Sequence, residues 1–315
     1  MTKYFSSAVI VIIMSIILFS GPGAARSPEP DAPATTLKIV SVGPAPNSIY
    51  AIVSLEYPKA WSDDARFTVE VNGRAVRARR ISGGFSGSRN MADLMFFPGR
   101  AGTQNITVKM TAGSRSALAR GVFEWKEMPF IAVMGHPGDR EMLTGNDRQF
   151  IVATANVVDV RISFNGKDMY AKPTGGDVQA RSLDPAWRVG KNTLTVSATK
   201  FDGGLIVKNF TFFYLGEEGL LPLGETAMLS YGREGSKSGP FYDVRVDGDA
   251  LATPRDVRAG VFSMDNDGWL VADTVLAKEF RAQKPGRAVI KVFIKPHFLQ
   301  EMKLDRELTV TVSQP

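Results

Sequence analysis

The chain has 315 residues, a formal net charge of +6, a pI near 9.4 and no cysteine. The missing cysteine excludes disulfides, thiolate-bound zinc, iron–sulfur clusters and thioether-linked haem. A surplus of +6 on this length is modest: it suits contact with anionic envelope polymers but does not mark a nucleic-acid binder.

Lys3 precedes an apolar run from Ala8 to Phe19 and a small-residue site at Gly23-Ala24-Ala25. That layout is a Sec-type signal peptide over residues 1–25, cut after Ala25, with an uncleaved N-terminal anchor as the alternative. The run falls short of the roughly 20 residues a spanning helix needs, and no later stretch qualifies, so no integral membrane span is expected after cleavage. Without a cysteine near the cleavage site, lipoprotein anchoring is excluded. An exported chain free of cysteine points to a bacterial protein, periplasmic or extracellular, whose domains are held by their cores alone. Residues 26–34 form a stiff Pro-rich linker of polyproline character.

Beyond the linker the chain reads as strands in three units, 35–126, 127–216 and 217–315. In the first, LKIVSV, SIYAIVSLEY and RFTVEVNG alternate, and Asn72-Gly73 is a dipeptide favoured in type I′ hairpin turns. Arg74, Arg77, Arg79 and Arg80 follow, with Arg77 and Arg79 on one face if the segment is extended. They are a candidate anion-binding patch for acidic glycan, phospholipid headgroup or nucleic acid. The plainer reading is a solvated edge strand whose charges discourage sheet-to-sheet pairing. Nucleic acid is not expected as a partner, because an exported protein seldom meets it.

The second unit opens at Met128-Pro129, turns at Gly135-His136-Pro137-Gly138, and carries Asn165-Gly166. Its clearest stretch is Val189 to Tyr214. There Leu194, Val196 and Ala198 alternate with Thr193, Thr195 and Ser197, Asp202-Gly203-Gly204 reverses the chain, and Phe210, Phe212 and Tyr214 share a face. Weaker versions recur before it (Ala101 to Trp125) and after it (Pro285 to Val312), each led by a glycine: Gly102, Gly190 and Gly286. The third unit is entered through Glu217-Glu218-Gly219, read as a hinge. It holds Asp247-Gly248 as a third hairpin turn, a flexible REGSKSGP loop (Arg233 to Pro240), and at Val275 to Gln283 room for one or two helical turns. Three strand-rich units of about ninety residues predict an all-β chain of three tandem sandwiches.

Catalytic chemistry finds little support. Gly84-Phe85-Ser86-Gly87-Ser88 lacks the final glycine and the following helix of a nucleophile elbow, and Ser197-Ala198-Thr199-Lys200 lies in a strand, where residues three apart face opposite ways. The two histidines, His136 and His297, fall in different units. Asp265-Asn266-Asp267-Gly268 could offer oxygen ligands to calcium, but an Asx-rich turn is the simpler reading. No catalytic residue, metal or cofactor is therefore expected. Of Trp61, Trp125, Trp187 and Trp269, Trp61 stands beside Tyr57-Pro58 and Ser62-Asp63-Asp64 and is the candidate for an exposed, sugar-stacking ring; the others are expected to pack in or over cores.

The third unit resembles the bacterial Ig-like domain group 2 pattern: Gly224-Glu225-Thr226 in an opening strand, Phe262-Ser263 with Asp265, Val271-Ala272, and Gly286-Arg287-Ala288-Val289-Ile290-Lys291-Val292. The segment between Trp269 and Lys284 departs from that pattern. The second unit is similar to another bacterial Ig-like type through Gly190, Asn192, Leu194, Val196, Ala198, Asp202 and Gly203. The first is placed by analogy. The resemblance implies three tandem Ig-like β-sandwich domains behind a signal peptide, used as spacers, adhesin stalks or binding modules, with no shared catalytic residues. Fold alone does not settle function. The expectation is an exported, non-enzymatic binding, adhesion or assembly protein that contacts an envelope or extracellular protein, or an anionic wall polymer. A carbohydrate-binding or accessory subunit of a secreted enzyme complex is the alternative.

Overall fold

The computed structural model describes residues 36–314, apart from 46–48, 62–63, 87–88, 145–148, 217–218 and 234–238. The signal peptide, the Pro-rich linker and most of the REGSKSGP loop lie outside the described residues. The chain divides into two compact units, Met1–Met128 and Pro129–Pro315.

The first unit holds strands β1 (Lys38–Pro44), β2 (Ala51–Pro58), β3 (Arg66–Val71), β4 (Arg74–Val76), β5 (Ala78–Ser86), β6 (Arg89–Phe96), β7 (Gly102–Ala112) and β8 (Arg115–Trp125). They form two four-stranded sheets, β1-β2-β6-β5 and β4-β3-β7-β8. The period-two alternation in β2, β6 and β7 turns one apolar row inward, and Val53, Leu55, Tyr57, Leu94, Phe96, Ile106, Val108 and Met110 meet in one core. Asn72 (φ 51°) and Gly73 (φ 76°) both adopt the left-handed conformation that a type I′ turn requires, and they close the β3–β4 hairpin as expected.

Trp61 corrects the sequence reading. It ends a short 3-10 turn, Lys59–Trp61, and is only 6 % exposed within the same core. Its polar neighbours in sequence suggested exposure, but the turn swings the indole inward, where burying its large apolar area outweighs them. No ring face is left there for a sugar.

The second unit holds β9 (Phe130–Val133), β10 (Asp139–Leu143), β11 (Phe150–Ala155), β12 (Val157–Phe164), β13 (Lys167–Met169), β14 (Gln179–Leu183), β15 (Gly190–Lys200), β16 (Leu205–Tyr214), β17 (Leu220–Pro222), β18 (Thr226–Arg233), β19 (Phe241–Asp247), β20 (Arg255–Met264), β21 (Leu270–Arg281), β22 (Gly286–Lys295) and β23 (Lys303–Ser313). An eight-stranded sheet, β13-β12-β15-β16-β10-β18-β21-β20, runs its whole width. The three strands β14-β11-β9 complete a sandwich over one end of it, and the four strands β17-β23-β22-β19 complete another over the other end.

The short strand β10 is what joins these two sandwiches. It lies parallel to both β16 and β18, and its consecutive residues feed different cores: Met142 packs with Phe213, Leu215 and Leu229, while Leu143 packs with Phe212, Tyr214 and Val152. The run Phe212-Phe213-Tyr214-Leu215 is buried throughout because both of its faces are covered. Where the sequence suggested a hinge, backbone bonds from Leu215 N to Leu143 O (3.0 Å) and from Thr311 N to Gly219 O (2.8 Å) tie the junction down on either side of Glu217 and Glu218, which are outside the described residues. Gly219 is required there: its φ is +66°, and a Cβ would sit 1.9 Å from the carbonyl oxygen of Thr309.

Two further readings are corrected. Residues 275–281 continue strand β21, buried at Val275, Ala277 and Phe280, because pairing with β18 and β20 overrides their weak helical propensity. Asp247-Gly248 is not a type I′ hairpin turn: only Gly248 has positive φ (99°), and β19 pairs with the distant β22 rather than with the next segment. By contrast Asn165 (φ 49°) and Gly166 (φ 76°) close the β12–β13 hairpin as predicted, and the three leading glycines Gly102, Gly190 and Gly286 all have positive φ.

Candidate functional site

The four arginines singled out in the first unit fall where two sheet edges meet in the chain. β4, carrying Arg74, is the last strand of one sheet; β5, carrying Arg79 and Arg80, is the last strand of the other; Arg77 alone connects them. All four are exposed. Arg80 is partly committed: its Nη2 donates to the Tyr57 hydroxyl (3.4 Å) and its Nε to the Ser82 carbonyl (3.3 Å). Its guanidinium lies over Gly83, where a Cβ would come within 2.3 Å of Nη2. A register shift between Arg80 and Ser82 bulges the strand at Ile81.

β5 is an unusual edge. Residues 79–85 are all exposed, including Ile81 (44 %) and Phe85 (78 %), and at Gly84, unlike Gly83, nothing lies over the backbone within 4 Å of where a Cβ would sit. Among the described residues no strand pairs with its outer side. Lys59 Nζ stands 5.7 Å from the centroid of the Phe85 ring, and Ser82 hydrogen-bonds Asp93 across the strand pair.

The remaining sequence candidates resolve into structural roles. Gly84, Phe85 and Ser86 belong to β5, so the GFSGS stretch makes no strand-to-helix elbow; Gly87 and Ser88 lie outside the described residues. Ser197 and Lys200 sit in β15. The Asp265 carboxylate accepts backbone N–H groups from Asp267 (3.1 Å) and Trp269 (2.8 Å), an Asx turn leading into β21. Among the described residues no group of three His, Asp or Glu side chains could hold a metal ion. His136 Nδ1 lies 2.9 Å from Glu141 Oε2, with the imidazole edge-on to Phe150 and Phe212. The pair braces the turn before β10 and satisfies a carboxylate that is only 5 % exposed. His297 accepts the Leu299 N–H at 3.3 Å in a different sandwich.

One feature escaped the sequence. Trp125 and Trp269 are buried along with Trp61, at 2 % and 4 %, whereas Trp187 is only partly covered and lines a cleft of about 300 Å³ with Phe164, Asn165, Lys167, Asp168, Met169, Ala186 and Arg188. In the sequence repeat Trp187 precedes Gly190 by the same spacing as Gly99 precedes Gly102, so the alignment pairs an indole with a glycine.

No family model matches the chain, and no curated protein matches it. Solved structures are similar at low identity. Dimeric latent PorU from Porphyromonas gingivalis shares 10 % identity over 89 % of this chain and 34 % of its own, with a TM-score of 0.31; this chain thus spans about a third of that protein's length. An I-band fragment of titin shares 9 % identity over 90 % of this chain and 97 % of its own, with a TM-score of 0.21. The fibronectin(III)-like modules of CbhA from Clostridium thermocellum share 14 % identity over 59 % of this chain and 95 % of theirs, with a TM-score of 0.24. The architecture itself is that of an all-β protein of tandem, Ig-like β-sandwiches.

Proposed function

We propose that this is an exported, non-enzymatic binding and assembly protein, of the periplasm or the cell exterior, that captures an extended segment of a protein partner on the outer edge of β5. One observation carries the reading: β5 is nine residues long, open on its outer side among the described residues, and exposed over residues 79–85. An added strand gains main-chain hydrogen bonds along such an edge, and alternate side-chain contacts supply specificity. Gly84 lets a second backbone approach, and Ile81 and Phe85 offer apolar contacts on either side of it. The exposed arginines at the start of the strand select an acidic segment and disfavour a second copy of this basic edge.

The test is in-cell crosslinking of the tagged chain in its native host, with a photoreactive residue at position 85. The expected result is one dominant protein adduct whose yield drops when Arg77 and Arg79 are both replaced by Glu. Equal recovery of the same adduct from a probe at Val122, exposed on the edge strand β8 of the other sheet, would overturn the reading.

A further inference from the structure

The cleft around Trp187 lies in the second unit, among residues that the β5 edge does not involve. Its two walls are tied together by the side-chain amides of Asn192, which is buried, and Asn165, which is half-buried. Asn192, fully buried, donates through Nδ2 to the carbonyls of Arg188 (2.7 Å) and Gly190 (2.9 Å) and accepts at Oδ1 from Arg188 N (3.0 Å) and Asn165 Nδ2 (2.9 Å). Asn165 Oδ1 in turn accepts from Thr193 N at 2.9 Å. The β12–β13 turn and the segment carrying Trp187 therefore form one rigid frame.

The first unit builds the same frame without the aromatic. Gln104 donates to the carbonyls of Arg100 (2.7 Å) and Gly102 (3.4 Å) and accepts from Asn72 Nδ2 (2.7 Å), while Asn72 Oδ1 accepts from Asn105 N (2.8 Å). Matching Gln104 to Asn192 and Gly102 to Gly190 places Gly99 at the position of Trp187. A comparable frame thus forms with a glycine at that position, and its hydrogen bonds do not require the indole. Four rings hold that indole in place on the side of the core: Phe150, Phe164 and Phe212 in T-shaped contact at 4.9, 5.0 and 6.1 Å, and Tyr214 tilted at 5.6 Å. A fixed aromatic face that loses little freedom on contact is what a flat, weakly apolar ligand needs. At the rim, Lys167 and Arg188 provide donors and Asp168 provides acceptors, all three exposed.

From this geometry we propose that the cleft binds one pyranose ring of a polysaccharide, stacked on Trp187, with its hydroxyls shared between Asp168 and the two cationic side chains. The volume suits a single ring, and small-ligand sites start at about this size. The site is separate from the β5 edge, and either proposal can fail without the other.

The experiment follows the indole N–H signals of the full mature chain by NMR during titration with cellohexaose and, separately, with the hexamer of β-linked glucuronic acid. One of the 4 tryptophan signals, identified as the one lost in Trp187→Phe, should shift saturably. The ligand that produces the shift tells a neutral from an acidic polymer. Because Trp187→Phe disturbs packing as well as stacking, a second variant, Lys167→Ala with Arg188→Ala, keeps the test clean: it alters only exposed side chains and should weaken binding about tenfold. No saturable shift with either hexamer, a shift confined to another indole, or undiminished affinity in the double variant would each overturn the proposal.

Discussion

In the second unit the five-residue strand β10 pairs on both sides, closing the edges of β16 and β18 together, whereas in the first unit the nine-residue strand β5 pairs on one side and, among the described residues, stays open on the other. Length does not explain the difference. β10 ends in Glu141, Met142 and Leu143, all buried, and successive apolar side chains have a core to enter on each face. β5 offers arginines at its start and two glycines in its middle, and residues 79–85 enter no core among the described residues. An edge in this fold is closed where both faces can be buried and left available where neither can.

The comparison is broken most directly at β10. Phe213→Ala removes a fully buried ring from the core that Met142 enters and should cost about 3–5 kcal/mol; Leu143→Ala, in the other core, should cost about 2–5 kcal/mol. In urea denaturation either variant is expected to separate the unfolding of the two joined sandwiches. A single unchanged transition would show that β10 does not couple them. Gly219→Ala tests the junction itself and should cost about 1–3 kcal/mol, since an alanine there meets both an unfavourable φ and the Thr309 carbonyl.

Asn192→Ala should cost about 1–3 kcal/mol, because it leaves the Arg188 and Gly190 carbonyls without their donor. Gln104→Ala in the first unit should behave alike if the two frames are equivalent, so paired melting curves check the repeat at the level of single hydrogen bonds. On the open edge, Phe85→Lys should leave stability within about 0.5 kcal/mol, as for other exposed sites, while abolishing partner capture. A large loss of stability there would mean that β5 is covered within its own chain.

The smallest effect is a pH slope on β18. Burial, and next the nearby Asp256 carboxylate, hold the Tyr231 hydroxyl above the ordinary tyrosine range. The folded chain therefore keeps that proton to higher pH than the unfolded chain does. The resulting stabilisation is complete below the unfolded value of about 10 and is lost as pH rises through the raised folded value. Denaturation midpoints of the natural chain and Tyr231→Phe should run parallel up to that point and then diverge, with the natural chain falling faster.

Much of the fold was legible because hairpins are local. Alternation along Val189 to Tyr214 foretold β15 and β16, and Asn72-Gly73 and Asn165-Gly166 foretold two turns whose left-handed geometry few residue pairs tolerate. The plainer reading of the arginines, a solvated edge, fits Arg74 on β4 and Arg79 and Arg80 on β5, because charge on successive residues suits neither face of a strand to burial. Of the tryptophans, Trp125 and Trp269 are buried and Trp187 packs over its core, as expected, whereas Trp61 was misjudged and the cleft beside Trp187 was not foreseen. Trp61 and Trp187 each stand near polar residues and a proline, and their neighbours along the chain do not reveal that one enters a core while the other lines a cleft.

By itself the sequence determined strand periodicity, the two Asn-Gly turns, and the glycines that lead into β7, β15 and β22, since each depends on φ and ψ preferences within a few residues. Only the tertiary structure decided that β10 would enter between β16 and β18, that Phe213 would leave the core of its own sandwich for the next, and that β5 would stay open. Those outcomes depend on which apolar faces meet after the chain has closed over long loops, and burial between distant segments leaves no mark in any local window.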